Sequence, residues 1–92
     1  MRFRLKVPES VYKELEKIDA IHRKRVRNEI LKLADNPFPE GKKWKRLKGL
    51  DGSYVRLRVG DYRVIYDVVS DEIYILGIVH RKDLKKWIGH HK

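Results

Sequence analysis

The sequence predicts an α+β domain spanning residues 1–92, in which a helical hairpin packs on one face of a mostly antiparallel sheet. Three observations support this prediction. The N-terminal residues alternate charged and apolar side chains, two helical segments follow with almost no linker, and β-rich segments separated by short turns fill the C-terminal half. A chain of 92 residues can bury one modest core, and no Cys is present to cross-link it.

The N-terminal half contains one strand and two helices. The strand is predicted from Arg2 to Val7, and the first helix from Pro8 to Asp19, because proline is tolerated in the first turn and apolar residues follow at helical spacing. The second helix ends at Asn36-Pro37, since the residue before proline avoids the α region. Its predicted apolar stripe consists of Ile21, Val26, Ile30, Leu33 and Ala34.

Basic residues cluster at the start of the second helix, namely His22, Arg23, Lys24, Arg25 and Arg27. We interpret this cluster as a solvated face that contributes long-range attraction to RNA.

The C-terminal half is predicted to complete the sheet. A short strand is expected at Lys45 to Lys48, followed by a turn at Asp51-Gly52. The next strands are residues 54–59, 62–69 and 73–79, separated by the hairpin turn Gly60-Asp61 and a turn at Asp71-Glu72. A short terminal helix or coil follows and ends at Gly89. The sheet therefore has an N-terminal strand and a four-stranded, mostly antiparallel segment.

The hairpin at Gly60-Asp61 fixes a register in which Arg58 faces Arg63 and Arg56 faces Ile65. The face predicted to lie on the core carries Val55, Leu57, Val59, Tyr62, Val64, Tyr66 and Val68. The other face carries Tyr54, Arg56, Arg58 and Arg63. Like charges set opposite each other destabilise a sheet, so a multiply charged anion is expected between the arginines. The alternative is a solvated face whose long basic side chains prevent aggregation.

The charge balance also indicates an anionic partner. Lys and Arg number 23 against 13 acidic residues, a formal charge of +10, which is typical of a protein that binds nucleic acid or an acidic protein. The sequence lacks a membrane-length apolar run, a Gly-rich phosphate loop, metal-ligand spacing and a Ser-His-acid set. Residues 1–8 alternate charged and apolar side chains, so we do not expect them to be a signal peptide. A cytoplasmic protein without cofactor, metal or membrane partner is expected.

The chemistry that remains available rests on arginine, histidine and aromatic residues. Strand parity places His80 away from Ile73, Ile75 and Val79, and so on the arginine face. Arginines can neutralise the charge of a pentavalent phosphorus intermediate, and a histidine can move the proton of a ribose 2′-hydroxyl. Trp87 either stacks on an RNA base or covers the core. For His80 the alternative is a hydrogen bond to a loop.

Several of these features together resemble the RelE/ParE superfamily of toxins, and most closely its RelE-type branch. The resemblance rests on the order of elements, on the run Leu57-Arg-Val-Gly-Asp-Tyr-Arg-Val-Ile-Tyr66, and on His80-Arg81. It implies a toxin of a type II toxin–antitoxin system that cleaves messenger RNA in the ribosomal A site, without a metal, by attack of the RNA's own 2′-hydroxyl. It also implies a cognate antitoxin as partner, acidic and partly disordered when free.

The resemblance assigns roles to individual residues. Arg63, Arg56, Arg81 and His80 are the expected catalytic residues, and Arg58, Tyr54, Trp87 and Lys48 the expected substrate-binding residues. This sequence departs from the family pattern where some members have lysines, at Arg56 and Tyr54, and where tyrosine is common, at Trp87. Arginine is a poor proton acceptor, which leaves the general base open. The alternatives are a ParE-like gyrase inhibitor and a non-enzymatic RNA-binding domain.

Overall fold

The computed structural model describes residues 2–41, 43–47 and 53–91, and it confirms the predicted α+β fold class. Its elements, in chain order, are β1 (Arg4–Lys6), α1 (Glu9–Glu16), α2 (Ala20–Leu33), β2 (Trp44–Arg46), β3 (Tyr54–Val59), β4 (Tyr62–Val69), β5 (Glu72–His80), a 3₁₀ turn (Arg81–Asp83) and α3 (Leu84–His90). None of the described helices has the length and apolar character that crossing a bilayer requires.

The five strands form one sheet in the order β1-β5-β4-β3-β2. Strand β1 pairs with β5 in parallel, and every other pair is antiparallel. The predicted hairpin register is confirmed: Val59 faces Tyr62 and Arg58 faces Arg63. Gly60 has a φ of +60°, a conformation that glycine adopts without steric cost. The face predicted to be apolar packs against α1 and α2, which leaves the arginine face uncovered by that helical hairpin.

The core lies between the helical hairpin and the sheet. It contains Val11, Ile18, Val26, Ile30, Leu33, Val55, Leu57, Val59, Val64, Tyr66, Ile73, Ile75 and Ile78. Tyr66 is fully buried, and its hydroxyl donates a 2.6 Å hydrogen bond to the carbonyl oxygen of Pro37. This bond satisfies the one polar group of the side chain and fixes the loop after α2 to the sheet. Burial raises the pKa of Tyr66 to about 12.

Replacing Tyr66 with phenylalanine should lower the free energy of unfolding by about 1–2 kcal/mol, because it leaves the Pro37 carbonyl without its donor. The measurement is urea denaturation of the variant and of the wild-type protein. Tyr12→Phe is the matched control, since Tyr12 is 55% exposed and its hydroxyl can be solvated by water. Equal stability of the two variants would show that the Tyr66–Pro37 bond contributes nothing.

The helices differ from the prediction in three respects. Helix α2 ends at Leu33 and a turn follows at residues 34–35, before the predicted stop at Asn36-Pro37. Helix α1 ends at Glu16 and does not reach Asp19, because the Asp19 side chain accepts a hydrogen bond from the backbone N–H of His22 and caps α2 instead. The assignment of Ile21 to the apolar stripe is wrong, since Ile21 is 83% exposed. It precedes Val26 by five residues, which places it roughly 140° around the helix from the buried stripe.

Three predictions for the C-terminal half also require correction. Strand β2 begins at Trp44 and ends at Arg46, whereas the prediction placed it at Lys45 to Lys48. The turn between β4 and β5 is Ser70-Asp71, one residue earlier than predicted, because Val69 pairs with Glu72. Helix α3 continues past Gly89 to His90. The predicted turn at Asp51-Gly52 lies outside the described residues.

A β-bulge in β5 changes which residues share a face. Ile65 pairs with Gly77, but the next residue, Tyr66, pairs with Ile75, so Leu76 has no partner in β4. An unpaired residue in one strand reverses the alternation of every residue beyond it. Gly77 therefore lies on the arginine face, and Ile78 lies on the core.

Candidate functional site

The sheet face turned away from α1 and α2 carries a group of basic side chains. In the central row Arg58 is paired with Arg63, and Arg63 is paired in turn with Val79 of β5. In the next row Arg56 is paired with Lys45 of β2 on one side and with Ile65 on the other. Because paired residues project to the same side of a sheet, these basic groups share one surface.

Arg81 joins this group from the 3₁₀ turn after β5. Its backbone N–H donates to the Asp61 carbonyl at 2.7 Å, and its Nε lies 3.6 Å from Asp61 Oδ1, so the chain after β5 is held against the tip of the β3–β4 hairpin. Arg56, Arg58, Arg63 and Arg81 are called the arginine cluster below. The structure thus brings together all four arginines that the sequence predicted for the site.

Hydrogen bonds to backbone carbonyls hold two of these guanidinium groups. Arg63 Nη1 donates to the carbonyls of Gly60 and Tyr62, both at 3.0 Å. Arg56 Nη1 donates to the Lys43 carbonyl at 3.2 Å. Since each of these bonds uses one Nη1 atom, other N–H donors of the same fork remain for a ligand.

The cluster has an electrostatic cost. Partial burial lowers the pKa of Arg63, as do the charges of Arg56, Arg58 and Arg81, whereas Asp61 opposes the shift. Partial burial and Arg58 likewise lower the pKa of Arg56. An arginine nonetheless remains protonated at neutral pH, so the repulsion persists until an anion binds. A phosphate between the guanidinium groups would relieve it through bidentate hydrogen bonds.

Trp87 borders the arginine cluster on the same face. A Cβ atom built on Gly77 would lie 2.8 Å from Trp87 Nε1, so the indole edge rests directly on that glycine. Ile65 is paired with Gly77 and with Arg56. It is fully buried although it lies on the face of the sheet that the helical hairpin does not cover. The His91 ring stacks on the indole, with centroids 3.8 Å apart and planes at 14°. Trp87 therefore packs on the sheet, and an RNA base could stack on the His91 side only after His91 moves.

The prediction that His80 lies on the arginine face is wrong, and the bulge at Leu76 is the reason. His80 pairs with Tyr62, and their rings are 5.5 Å apart on the side of the sheet that carries the helices. The ring of Tyr62 also lies 5.9 Å from the ring of His22 in α2. His80 Nδ1 accepts a hydrogen bond from the Lys82 backbone N–H at 3.3 Å, which caps the 3₁₀ turn.

This position leads to a prediction for His80 that differs from the sequence-based one. If the RNA cleavage that the family resemblance implies is measured, replacing His80 with glutamine should change its rate less than about tenfold and should leave any limb of the pH–rate profile near pH 6.5 in place, because the ring faces away from the arginines. The measurement is single-turnover cleavage between pH 5.5 and 8.5. Loss of that limb in His80→Gln alone would restore His80 as a general acid or base.

Of the other predicted site residues, the structure places Tyr54 on the arginine face. It also adds one candidate, Lys45, to the site. Tyr54 is paired with Asp67 on the arginine face, one row beyond Arg56. Lys48 lies outside the described residues. Lys45, which the sequence analysis did not single out, lies beside Arg56, and its amine can exchange a proton where a guanidinium cannot. The pairing of β2 with β3 was the missing information, since alternation alone does not give the register of so short a strand.

The chain is similar to known proteins in sequence and in fold. Residues 5–85 match the family described as the ParE toxin of the type II toxin–antitoxin system parDE. A protein of Methanocaldococcus jannaschii described as a candidate toxin RelE1 is 35% identical over 85 residues, which cover 90% of this chain and 93% of the relative. A candidate RelE-like toxin of Escherichia coli is 30% identical over 77 residues, covering 82% and 77%.

Several solved structures have a fold similar to that of this chain. A chain of the archaeal RelE–RelB complex from Pyrococcus horikoshii superposes with a TM-score of 0.75 at 33% identity, covering 88% of this chain and 97% of that one. A chain of the RelB–RelE antitoxin–toxin complex from Methanococcus jannaschii gives a TM-score of 0.70 at 26% identity, covering 88% and 95%. Both structures are complexes of RelE with RelB, and the second is described as an antitoxin–toxin complex.

Proposed function

Because the chain belongs to the RelE/ParE superfamily of type II toxin–antitoxin toxins and is of the RelE type, we propose that it is an endoribonuclease that cleaves messenger RNA in the ribosomal A site. The observation that carries this proposal is the arginine cluster, four cations on one open face that repel one another and can be neutralised by a phosphate. The place of action is the cytoplasm, where ribosomes translate.

The proposed reaction is an internal transfer at phosphorus. The ribose 2′-oxygen forms a bond to the adjacent phosphorus, the bond to the 5′-oxygen of the next nucleotide breaks, and the products are a 2′,3′-cyclic phosphate and a 5′-hydroxyl. The 2′-hydroxyl loses its proton and the leaving 5′-oxygen gains one, so no oxidant or reductant takes part. Because negative charge accumulates on the phosphoryl oxygens in the transition state, fixed cations beside them lower the barrier.

Individual residues have distinct proposed roles in this reaction. Arg63 binds the scissile phosphate, because it lies centrally among the other arginines. Arg58 and Arg56 bind the same phosphate or its neighbour, and Arg81 stabilises the charge of the leaving oxygen. Lys45 is the proposed proton acceptor, since it lies beside Arg56 and is not itself an arginine.

The second proposed partner is a cognate antitoxin, as in the solved RelE–RelB complexes. Two observations support two kinds of contact. The arginine cluster fits an acidic segment that is partly disordered when free and folds on binding. An apolar groove between β1, α1 and α2, in which Tyr12 is 55% and Leu31 is 52% exposed, fits the apolar side of an amphipathic segment. Charge pairing would govern the association rate, and apolar packing the dissociation rate.

A second candidate function is inhibition of DNA gyrase without nuclease activity. The family that matches residues 5–85 is that of the ParE toxin, and the four arginines do not themselves include a group that can act as base. The experiment that separates the two functions is cell-free translation with added protein, analysed by primer extension on the message, beside a gyrase supercoiling assay. Cleavage within codons only when ribosomes are present supports the nuclease, whereas blocked supercoiling with an intact message supports the gyrase inhibitor.

A further inference from the structure

A second basic surface lies on α2, on the other side of the sheet from the arginine cluster. Residues Ile21, Lys24, Arg25, Asn28, Glu29, Lys32 and Lys43 line a shallow groove there. Each α2 member lies three or four residues from at least one other member, so together they form a continuous stripe along the helix. From Lys24 to Lys32 the stripe rises about 12 Å. Lys24, Arg25, Lys32 and Lys43 are called the α2 basic face below.

Acidic neighbours neutralise only part of this surface. Glu29 forms ion pairs with Lys32 at 3.1 Å and with Lys43 at 3.7 Å. Within the part of the chain that the structure describes, no ion pair includes Lys24 or Arg25. The surface therefore retains a net positive charge along its length.

The α2 basic face and the arginine cluster meet at the tip of the β3–β4 hairpin. Arg25 Nη1 would lie 3.2 Å from a Cβ atom built on Gly60, and Arg63 Nη1 donates to the carbonyl oxygen of the same glycine at 3.0 Å. The two arginines thus approach Gly60 from opposite faces of the sheet. Positive charge continues around the hairpin tip from one surface to the other.

We propose that the α2 basic face binds the phosphate backbone of structured RNA and positions the toxin while the arginine cluster holds the message. This inference rests on the proposed function for the identity of that RNA, which would belong to the ribosome. Duplex RNA is recognised mainly through its shape, its phosphates and its 2′-hydroxyls, for which lysine, arginine and asparagine supply donors. A helix that presents a row of such side chains binds backbone without reading sequence.

The composition of the surface favours RNA over an acidic protein. Ile21 is the one apolar side chain among the residues that line this groove, so the surface offers little for the apolar core of a protein interface. The apolar groove that suits the antitoxin lies elsewhere on α2, where Arg27, Ile30 and Leu31 face α1 and β1. The two sides of α2 thus present different chemistry to different partners.

The test uses the purified full-length protein and a short fluorophore-labelled RNA duplex that contains no message sequence. The variant Lys24→Ala/Lys32→Ala should bind the duplex about tenfold more weakly than wild type and reduce the slope of log affinity against log salt by about two. The matched control is Lys13→Ala/Lys17→Ala, which removes the same charge from α1 and from the residue that follows it, where both lysines are exposed. The control should lower affinity less than about twofold and leave the slope nearly unchanged.

The outcomes separate this inference from the proposed function, because binding of the duplex does not require cleavage. A loss of duplex affinity in Lys24→Ala/Lys32→Ala that the control variant does not show supports the inference. This holds even if the protein fails to cut messages on ribosomes. Equal losses in the two double variants would overturn it, since net charge alone would then explain binding. Weakened binding of the antitoxin in Lys24→Ala/Lys32→Ala, with unchanged binding of the duplex, would also overturn it and assign the surface to the antitoxin.

Discussion

Replacing Arg63 with alanine should slow message cleavage by about 10²–10³-fold, the largest loss expected for any single arginine. Arg63 lies centrally in the arginine cluster, where three other guanidinium charges act on it, so it is the residue best placed to contact the scissile phosphate. The measurement is single-turnover cleavage on programmed ribosomes. Removal of one of two opposed arginines also relieves repulsion in the sheet, so the stability of the variant should stay close to that of wild type.

Two further variants define what the Arg63 result means. Arg63→Lys should recover only part of the activity, because an ammonium group cannot bind a phosphate with a planar fork. Arg27→Ala removes the same charge from the exposed surface of α2 and should cleave within about twofold of wild type. Wild-type cleavage by Arg63→Ala would show that Arg63 does not bind the scissile phosphate.

Replacing Gly77 with valine should lower the free energy of unfolding by about 1–3 kcal/mol and displace Trp87 from the sheet. The Cβ atom alone would come within 2.8 Å of the indole Nε1, so the ring would have to move away from the sheet. Displacement would expose Ile65 and release α3 from β5. Cleavage should fall as well, because Trp87 borders the arginine cluster.

Tryptophan fluorescence in a Trp44→Phe background measures this displacement, since Trp87 is then the sole tryptophan. We expect a red shift of the emission in Gly77→Val. Gly89→Ala is the control within α3, because a Cβ atom there meets nothing within 4 Å. Identical emission and stability of the Gly77→Val protein and its parent would contradict the packing of Trp87 on Gly77.

The parts of the fold that local sequence determines were predicted well. Alternation of apolar and charged residues around the two-residue turn at Gly60 gave the register of β3 and β4, and with it the opposition of Arg58 and Arg63. Such a register follows from turn length and side-chain alternation, both of which are local properties. The placement of Arg56, Arg58 and Arg63 on one face was predictable for the same reason, whereas Arg81 was assigned from its position after the last strand and from the family resemblance.

The features that the sequence did not reveal depend on contacts between distant residues. The bulge at Leu76 has no local signal of its own, and it alone moves His80 from the arginine face to the helical face. Alternation assigns Ile65 to the outer face, and the packing of Trp87 on the neighbouring Gly77 is a long-range contact that accompanies its burial. Lys45 became a candidate once the pairing of β2 with β3 was known.

The central claim is that the arginine cluster promotes attack by the message's own 2′-hydroxyl. Its most direct test is single-turnover cleavage of a message that carries one 2′-deoxynucleotide on the 5′ side of the cut position, bound to ribosomes with that codon in the A site. We expect no cleavage at that position, while an otherwise identical all-ribose message is cut to yield a 5′-hydroxyl terminus. Cleavage of both messages at the same rate, with a 5′-phosphate terminus, would contradict the account.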